Sequence, residues 1–221
     1  MGHGSPGARR APAERQWQLV EALEPDVVLA QETRRELLES LNGYDVVFSL
    51  RPGTGWGTAV AVRSDFGSLT EQDNFDRPGL LACGRLSYGS GPETFVASVH
   101  VPSTQNAQQW LREIAEKAGR GAMLIGGDFN AGPSIGKNPL PLAGELGLRE
   151  LTTSSPERNT LVRPRHPGTL FQIDHVLGRG WDRTAPMSVL PLADLGGPQL
   201  SDHNALWTTL QEDRAGVPQP V

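Results

Sequence analysis

Gly127-Asp128-Phe129-Asn130 sets a carboxylate and a carboxamide two residues apart, directly after the apolar run Ala122-Met123-Leu124-Ile125-Gly126. Small and apolar residues without alternation predict a strand buried on both faces. Strand side chains repeat with period two, so Asp128 and Asn130 are expected to point the same way from that strand's end. The glycines let another group approach the backbone closely. A fixed acceptor beside a neutral donor suits a phosphate or an attacking water. The same tetrapeptide also fits a plain strand followed by an Asx turn. On the tetrapeptide alone, the two readings stand even.

Three more predicted strand ends carry polar residues: Gln31-Glu32, His100 and Asp174. A further cluster, Ser201-Asp202-His203-Asn204, precedes the last strand. Buried carboxylates need a partner, a metal or a raised pKa. Several acids at one rim repel one another unless a divalent cation sits between them. Oxygen-rich ligation without cysteine favours magnesium or manganese over structural zinc, and metal-assisted phosphoryl chemistry follows. Ser201, Asp202 and His203 are adjacent in sequence and do not read as a serine-hydrolase triad. His175 sits one residue from Asp174, faces the other side of its strand and reads as structural. His3 and His166 read as loop residues.

The elements that must hold these residues alternate along the chain. A helix is expected over Pro12–Leu23, with Trp17, Val20 and Leu23 on one face and Pro25 ending it. A short strand at Asp26–Ala30 delivers Gln31-Glu32. Thr33 then caps a helix to about Leu41, stopped by Asn42-Gly43. Strands are expected near 45–50, 57–63, 80–87 and 93–101, the last presenting His100. A helix over Gln105–Lys117 carries Trp110, Leu111 and Ile114 at helical spacing and ends at Gly119. A short helix near 142–146, a polar loop over 152–168 and strands near 170–177, 187–192 and 205–210 complete the pattern. Many strands with few helices predict an α/β four-layer sandwich, two packed mixed β-sheets flanked by helices.

At 221 residues the chain is long enough for one domain with a large core. The expected division is a flexible segment over 1–12, the domain over 13–211 and a frayed tail over 212–221. A net charge of −5 gives no overall basic field for nucleic acid. The single cysteine, Cys83, excludes an internal disulfide and a thiolate zinc cluster. Without a secretory signal or an eighteen-residue apolar stretch, no membrane span is expected and a cytoplasmic monomer is.

Five motifs together resemble one known family. Asp26-Val27-Val28-Leu29-Ala30-Gln31-Glu32, Val99-His100-Val101-Pro102, Gly127-Asp128-Phe129-Asn130, Ile173-Asp174-His175-Val176 and Leu200-Ser201-Asp202-His203 follow in the order of the endonuclease/exonuclease/phosphatase superfamily. This is the fold of pancreatic deoxyribonuclease and apurinic endonucleases, and the resemblance covers about residues 13 to 210. It implies Glu32 as the main metal ligand, with Asp202 near the same ion. That ion would be Mg2+, with Mn2+ as the alternative. Asp174 and His203 would form a carboxylate–imidazole pair at the scissile phosphate. Asp128 would orient or deprotonate the attacking water, and Asn130 would hold a phosphate oxygen. His100 would stabilise the transition state or protonate the leaving oxygen.

The opening departs from the family pattern. Members usually begin with a strand ending in Trp-Asn or a similar pair, whose Asn helps ligate the metal. Met1-Gly2-His3-Gly4-Ser5 resembles the loop that ordinarily follows it. The expectation is either an internal start or a chain lacking that strand and ligand, which would leave Asp26–Ala30 as an open edge.

The first functional reading is a Mg-dependent phosphoesterase that cleaves phosphodiesters in DNA or RNA. One alternative is a phosphatase or phosphodiesterase for a small phosphorylated metabolite or lipid headgroup. Another is a catalytically weakened binding module. The acidic balance and compact loops disfavour a long nucleic-acid groove. Arg34, Arg35, Arg51, Arg63, Arg158, Arg163, Arg165 and Trp56 are nevertheless available to contact phosphates and a base.

Overall fold

The computed structural model describes residues 17–18, 20–39, 41–72, 76–132, 136–152, 172–190, 203 and 205–213. Nine strands carry most of the fold: β1 (Val27–Arg34), β2 (Tyr44–Leu50), β3 (Trp56–Arg63), β4 (Ser68–Glu71), β5 (Leu81–Ser87), β6 (Thr94–His100), β7 (Met123–Asp128), β8 (Arg149–Glu150) and β9 (Asp174–Arg179). Short strands β10 (Trp181–Arg183), β11 (Ser188–Leu190), β12 (Ala205–Trp207) and β13 (Leu210–Glu212) follow. The helices are α1 (Arg35–Leu38), α2 (Ala107–Ala118) and α3 (Leu140–Glu145), with further helical residues at 17–18 and 20–23.

One sheet has six strands in the order β4-β5-β6-β7-β9-β8 and is mixed, because β6 and β7 run parallel within antiparallel neighbours. The other has the order β1-β3-β2 and is antiparallel throughout its described strands. Two small ribbons, β10 with β13 and β11 with β12, complete the pairing.

The apolar runs that predicted two-sided strands are explained by what covers each face. One face of the six-stranded sheet, through Phe95, Val99, Met123 and Ile125, packs on Trp110, Leu111 and Ile114 of α2. The other, through Ala82, Leu86 and Val96, packs on Val60 and Val62 of β3. Trp17, Leu38 and Leu41 cover the outer side of the smaller sheet at Ala59. The described residues thus form an α/β sandwich of four layers, helix, sheet, sheet, helix. No helix among them is long and apolar enough to cross a membrane.

Glycine sets the spacing between the sheets. A Cβ on Gly126 would lie 2.6 Å from Leu29 Cδ1, and one on Gly127 would lie 2.1 Å from the Val99 carbonyl and 2.9 Å from Gln31 Nε2. With φ at 142°, Gly127 also holds a backbone that other residues rarely adopt. The missing side chains admit Gln31, whose Nε2 donates to Ser98 Oγ at 2.8 Å and to the Leu29 carbonyl at 3.0 Å. Ser98 Oγ in turn donates to the Ala30 carbonyl at 2.9 Å. A polar clamp therefore joins β1 to β6 across the two sheets.

Several boundaries differ from the sequence expectation. β1 does not end at Ala30, and Thr33 does not cap a helix. The strand continues to Arg34 through a bulge, with Ala30 opposite Ala59 and Thr33 opposite Gly57, so Gln31 and Glu32 together face Thr58. The helix expected to Leu41 is the four-residue α1. α2 starts at Ala107 because Asn106 caps it, its side chain accepting from the Gln108 amide at 3.1 Å. The single strand expected over 205–210 is two, β12 and β13, which pair with different partners. The helix expected from Pro12 is described only from Trp17, and the loop over 153–168 lies outside the described residues.

Candidate active site

The described site is assembled from strand ends held in register. His100 closes β6, Asp128 closes β7 and Asp174 opens β9, and pairing sets His100 beside Asp128 and Asp128 beside Asp174. Glu32 reaches the same rim from the other sheet through the β1 bulge. Its backbone φ is 48°, as is that of Asn130. Among described non-glycine residues only Glu24 shares this conformation, with φ at 46°. Left-handed backbone is ordinary for an Asn in a turn but costs energy at Glu32, where it goes with the bulge that brings this side chain to the rim.

Asp128 is the hub. Its Oδ1 accepts from the Asn130 amide at 2.7 Å, and its Oδ2 accepts from Asn130 Nδ2 at 2.9 Å. The first bond makes an Asx turn, and an Asx turn does not exclude the functional reading of the same corner. Asn130 lies beyond the end of β7, and the left-handed turn, not strand periodicity, brings its side chain back to Asp128. Its Nδ2 also donates to the Val101 carbonyl at 3.0 Å, so both amide hydrogens are engaged. Asp128 Oδ2 lies 3.7 Å from His100 Nε2 and 3.9 Å from His203 Nε2. His203 Nδ1 stands 2.9 and 3.1 Å from the Asp174 carboxylate oxygens, which fixes a proton on Nδ1 and turns Nε2 toward Asp128. His100 Nδ1 lies 3.8 Å from Glu32 Oε1.

Electrostatics follow from this crowding. Burial pushes the Asp128 carboxyl up to about 7, the negative charges of Asp174 and Glu32 add to the rise, and His203 with the Asn130 amide opposes it. Burial lowers the pKa of His100, and the positive charges of His203 and Arg51 act in the same direction, while Glu32 and Asp174 oppose them. A carboxyl pushed up beside an imidazole pushed down shifts the preference for a shared proton toward Asp128.

His175 is wholly buried, on the opposite side of β9 from Asp174. Its Nε2 meets the Ala131 carbonyl at 2.9 Å, and its Nδ1 lies 3.4 Å from Glu150 Oε1. It braces the segment just after Asn130, as its parity along the strand predicts. Sequence reasoning missed Ser98 as the partner of Gln31. A lone serine within the apolar run Phe95–Val99 was the available signal. Arg63 is tied to Asp26 and Asp65 at the end of β3 away from Trp56, which removes it from the rim. Arg34 stacks over Trp56, with its guanidinium carbon 4.6 Å from the ring centre. Asp202, Arg158, Arg163, Arg165 and His166 lie outside the described residues. So does Ser134, within a Gly-x-Ser-x-Gly spacing at 132–136. That spacing starts four residues after β7 ends, unlike a strand-to-helix nucleophile elbow.

Over residues 2–203 the sequence matches the endonuclease/exonuclease/phosphatase family. The chain belongs to this family. Its members typically hydrolyse phosphoester bonds and generally use divalent metal ions. Solved structures agree on the fold. A humanized D. rerio TDP2 carrying 14 mutations superposes with a TM-score of 0.72 at 16% identity, covering 94% of each chain. D. rerio TDP2 complexed with a single-strand DNA product gives 0.67 at 17% identity, over 91% of this chain and 92% of that one. The endonuclease domain of TRAS1, a telomere-specific non-LTR retrotransposon, gives 0.66 at 18%, over 92% and 93%. No curated protein matches the sequence.

Among the described residues, no three His, Cys, Asp or Glu side chains converge to hold a cation by themselves. The donor chemistry nevertheless fits a hard divalent ion. The Glu32 side chain is 74% exposed at the rim, and the mutual repulsion of Glu32, Asp128 and Asp174 is what a nearby cation would relieve. An ion that keeps most of its waters needs few protein ligands.

Proposed function

We propose that this protein is a Mg2+-dependent phosphodiesterase whose substrate is nucleic acid, with Mn2+ able to substitute. The observation that carries this reading is Asp128 Oδ2 lying between the Nε2 atoms of His100 and His203, with Asp174 behind His203. A buried carboxyl with a pKa near 7 is suited to taking a proton from an attacking water. His203, held as an imidazolium beside the Asp174 carboxylate, donates from Nε2 to the phosphoryl oxygens. His100, whose charged form burial disfavours, stabilises the transition state through a ring N–H. Asn130 holds Asp128 in place and, on releasing one of its two donors, reaches a phosphate oxygen. Glu32 and Asp202 would hold the divalent cation, which neutralises phosphate charge when bound. The single-strand DNA product in one structural relative and the endonuclease activity named for another support the substrate class.

Hydrolysis assays with Mg2+ or Mn2+ on plasmid, single-stranded DNA, bis(p-nitrophenyl) phosphate and p-nitrophenyl phosphate test this reading. Diester cleavage that disappears in Asp128→Ala is expected. Turnover of the monoester alone would indicate a phosphatase. No turnover on any substrate, or an unaffected Asp128→Ala variant, would sink the enzymatic reading.

A further inference from the structure

A cleft of about 720 Å3 opens beside the reaction centre, lined by Arg51, Arg77, Leu80, Gln105, Trp110 and Glu113. It adjoins the His100 side of the rim, because the Leu80 carbonyl accepts from the His100 amide at 2.8 Å. Arg51 follows the last residue of β2, and its charge is among those acting on the His100 ring, after the larger effect of burial. The cleft is much larger than one phosphoryl group and falls within the range of pockets that hold cofactor-sized ligands.

The walls are ordered. The Arg77 guanidinium lies 3.8 Å above the Trp110 ring and pairs with Glu113, whose other oxygen accepts from Gln109 Nε2 at 2.9 Å. Trp110 stacks on this planar cation, and both side chains line the cleft. Trp110 Nε1 donates to Gln105 Oε1 at 2.7 Å, which leaves the Gln105 amide nitrogen as a donor into the same space. Arg51 makes only main-chain bonds among the described residues. Asp76 also lines the cleft, so two arginines face two acids and the formal charge is nil. Such a balance disfavours a polyanion. It suits one phosphate near Arg51 and an uncharged aromatic ring against Arg77, since guanidinium planes stack on nucleobases.

We propose that this cleft is a nucleoside subsite, with the flanking base stacked on Arg77 and the next phosphate along the strand on Arg51. It rests on the phosphodiesterase reading above and narrows it to nucleotide-flanked diesters, against bare monoesters and polyphosphorylated headgroups.

Three substrates separate the contributions: bis(p-nitrophenyl) phosphate, the dinucleotide d(TpT) and the trinucleotide d(TpTpT), each assayed with Mg2+. Arg77→Met should lower kcat/KM on both nucleotides about tenfold, with less than about a twofold change on bis(p-nitrophenyl) phosphate. Arg77→Lys keeps the charge facing Glu113 and removes the plane, and it should lose the same increment. Arg51→Gln should weaken d(TpTpT) several-fold more than d(TpT), because any effect through the His100 ring is common to both substrates. Thymidine 5′-monophosphate binding to metal-free protein, followed by ligand-observed NMR, supplies a readout independent of turnover. Binding lost in Arg77→Met upholds the cleft even if no ester is cleaved. Diester turnover with no nucleotide preference and no effect of the three variants overturns the subsite and leaves the phosphodiesterase reading intact.

Discussion

Replacing Asp128 by Asn should abolish activity and at the same time stabilise the metal-free protein above neutral pH. The carboxyl is raised from 3.8 to about 7, a difference of roughly 4 kcal/mol between its two protonation states. Because the folded value is the higher one, the unfolded chain releases this proton near pH 4 and the folded protein keeps it until about pH 7. Wild-type stability therefore falls across that window and levels off above it. The Asp128→Asn variant has no such proton to lose. It does give up one of the two acceptor contacts with Asn130, at about 1–2 kcal/mol. The net gain at pH 8 is then about 2–3 kcal/mol, or roughly 5–10 °C in Tm for a chain of this length. Thermal and urea denaturation in EDTA from pH 4.5 to 8.5 measure it, and the variant-minus-wild-type difference should widen with pH and reach a plateau. Added Mg2+ should narrow it, since a cation near the rim offsets the repulsion. A difference that stays flat between pH 5 and pH 8 would refute the reasoning, because it would mean that Asp128 is not a buried, crowded carboxyl.

Other expectations are independent of that one. Asp174→Asn leaves the volume of the pair but removes the carboxylate that fixes the His203 tautomer, so kcat should fall on the order of 10³-fold or more. Combining it with His203→Ala should add little, and a multiplicative loss would argue against a coupled pair. Glu32→Gln should raise the Mg2+ concentration for half-maximal rate by roughly tenfold or more, with partial recovery at saturating metal. An unchanged metal titration would remove Glu32 from the ion. Gly127→Ala forces a Cβ to within 2.1 Å of the Val99 carbonyl and should cost about 3 kcal/mol in urea denaturation. A neutral result there would mean that β6 and β7 can shift apart locally without cost.

Much of the rim was readable because two-sided apolar strands announce themselves by composition, and the polar residue that ends such a run has to sit at an edge. His100, Asp128 and Asp174 follow from that logic. The bulge at Gln31-Glu32 was not readable. Neither residue is one that favours a left-handed backbone, and the pairing of Thr33 with Gly57 is decided by β3 rather than by local preference. The same holds for β8 and β13, two- and three-residue strands rich in charge that pair only because a neighbouring strand is already in place. Asn130 does lie beside Asp128, as expected, but not for the reason strand periodicity gives. Strand parity was invoked where a hydrogen-bonded turn does the positioning. The clamp between Gln31 and Ser98 spans 67 residues of sequence and has no local signature.

The registered ends of β6, β7 and β9 have a consequence for how this protein fails on heating. His100, Asp128 and Asp174 are terminal links of hydrogen-bonded ladders at the centre of the larger sheet, the part of a fold that opens last. Amide hydrogens there should exchange only through global unfolding. Any loss of activity before cooperative melting should accordingly trace to Glu32 or His203, which stand outside that sheet.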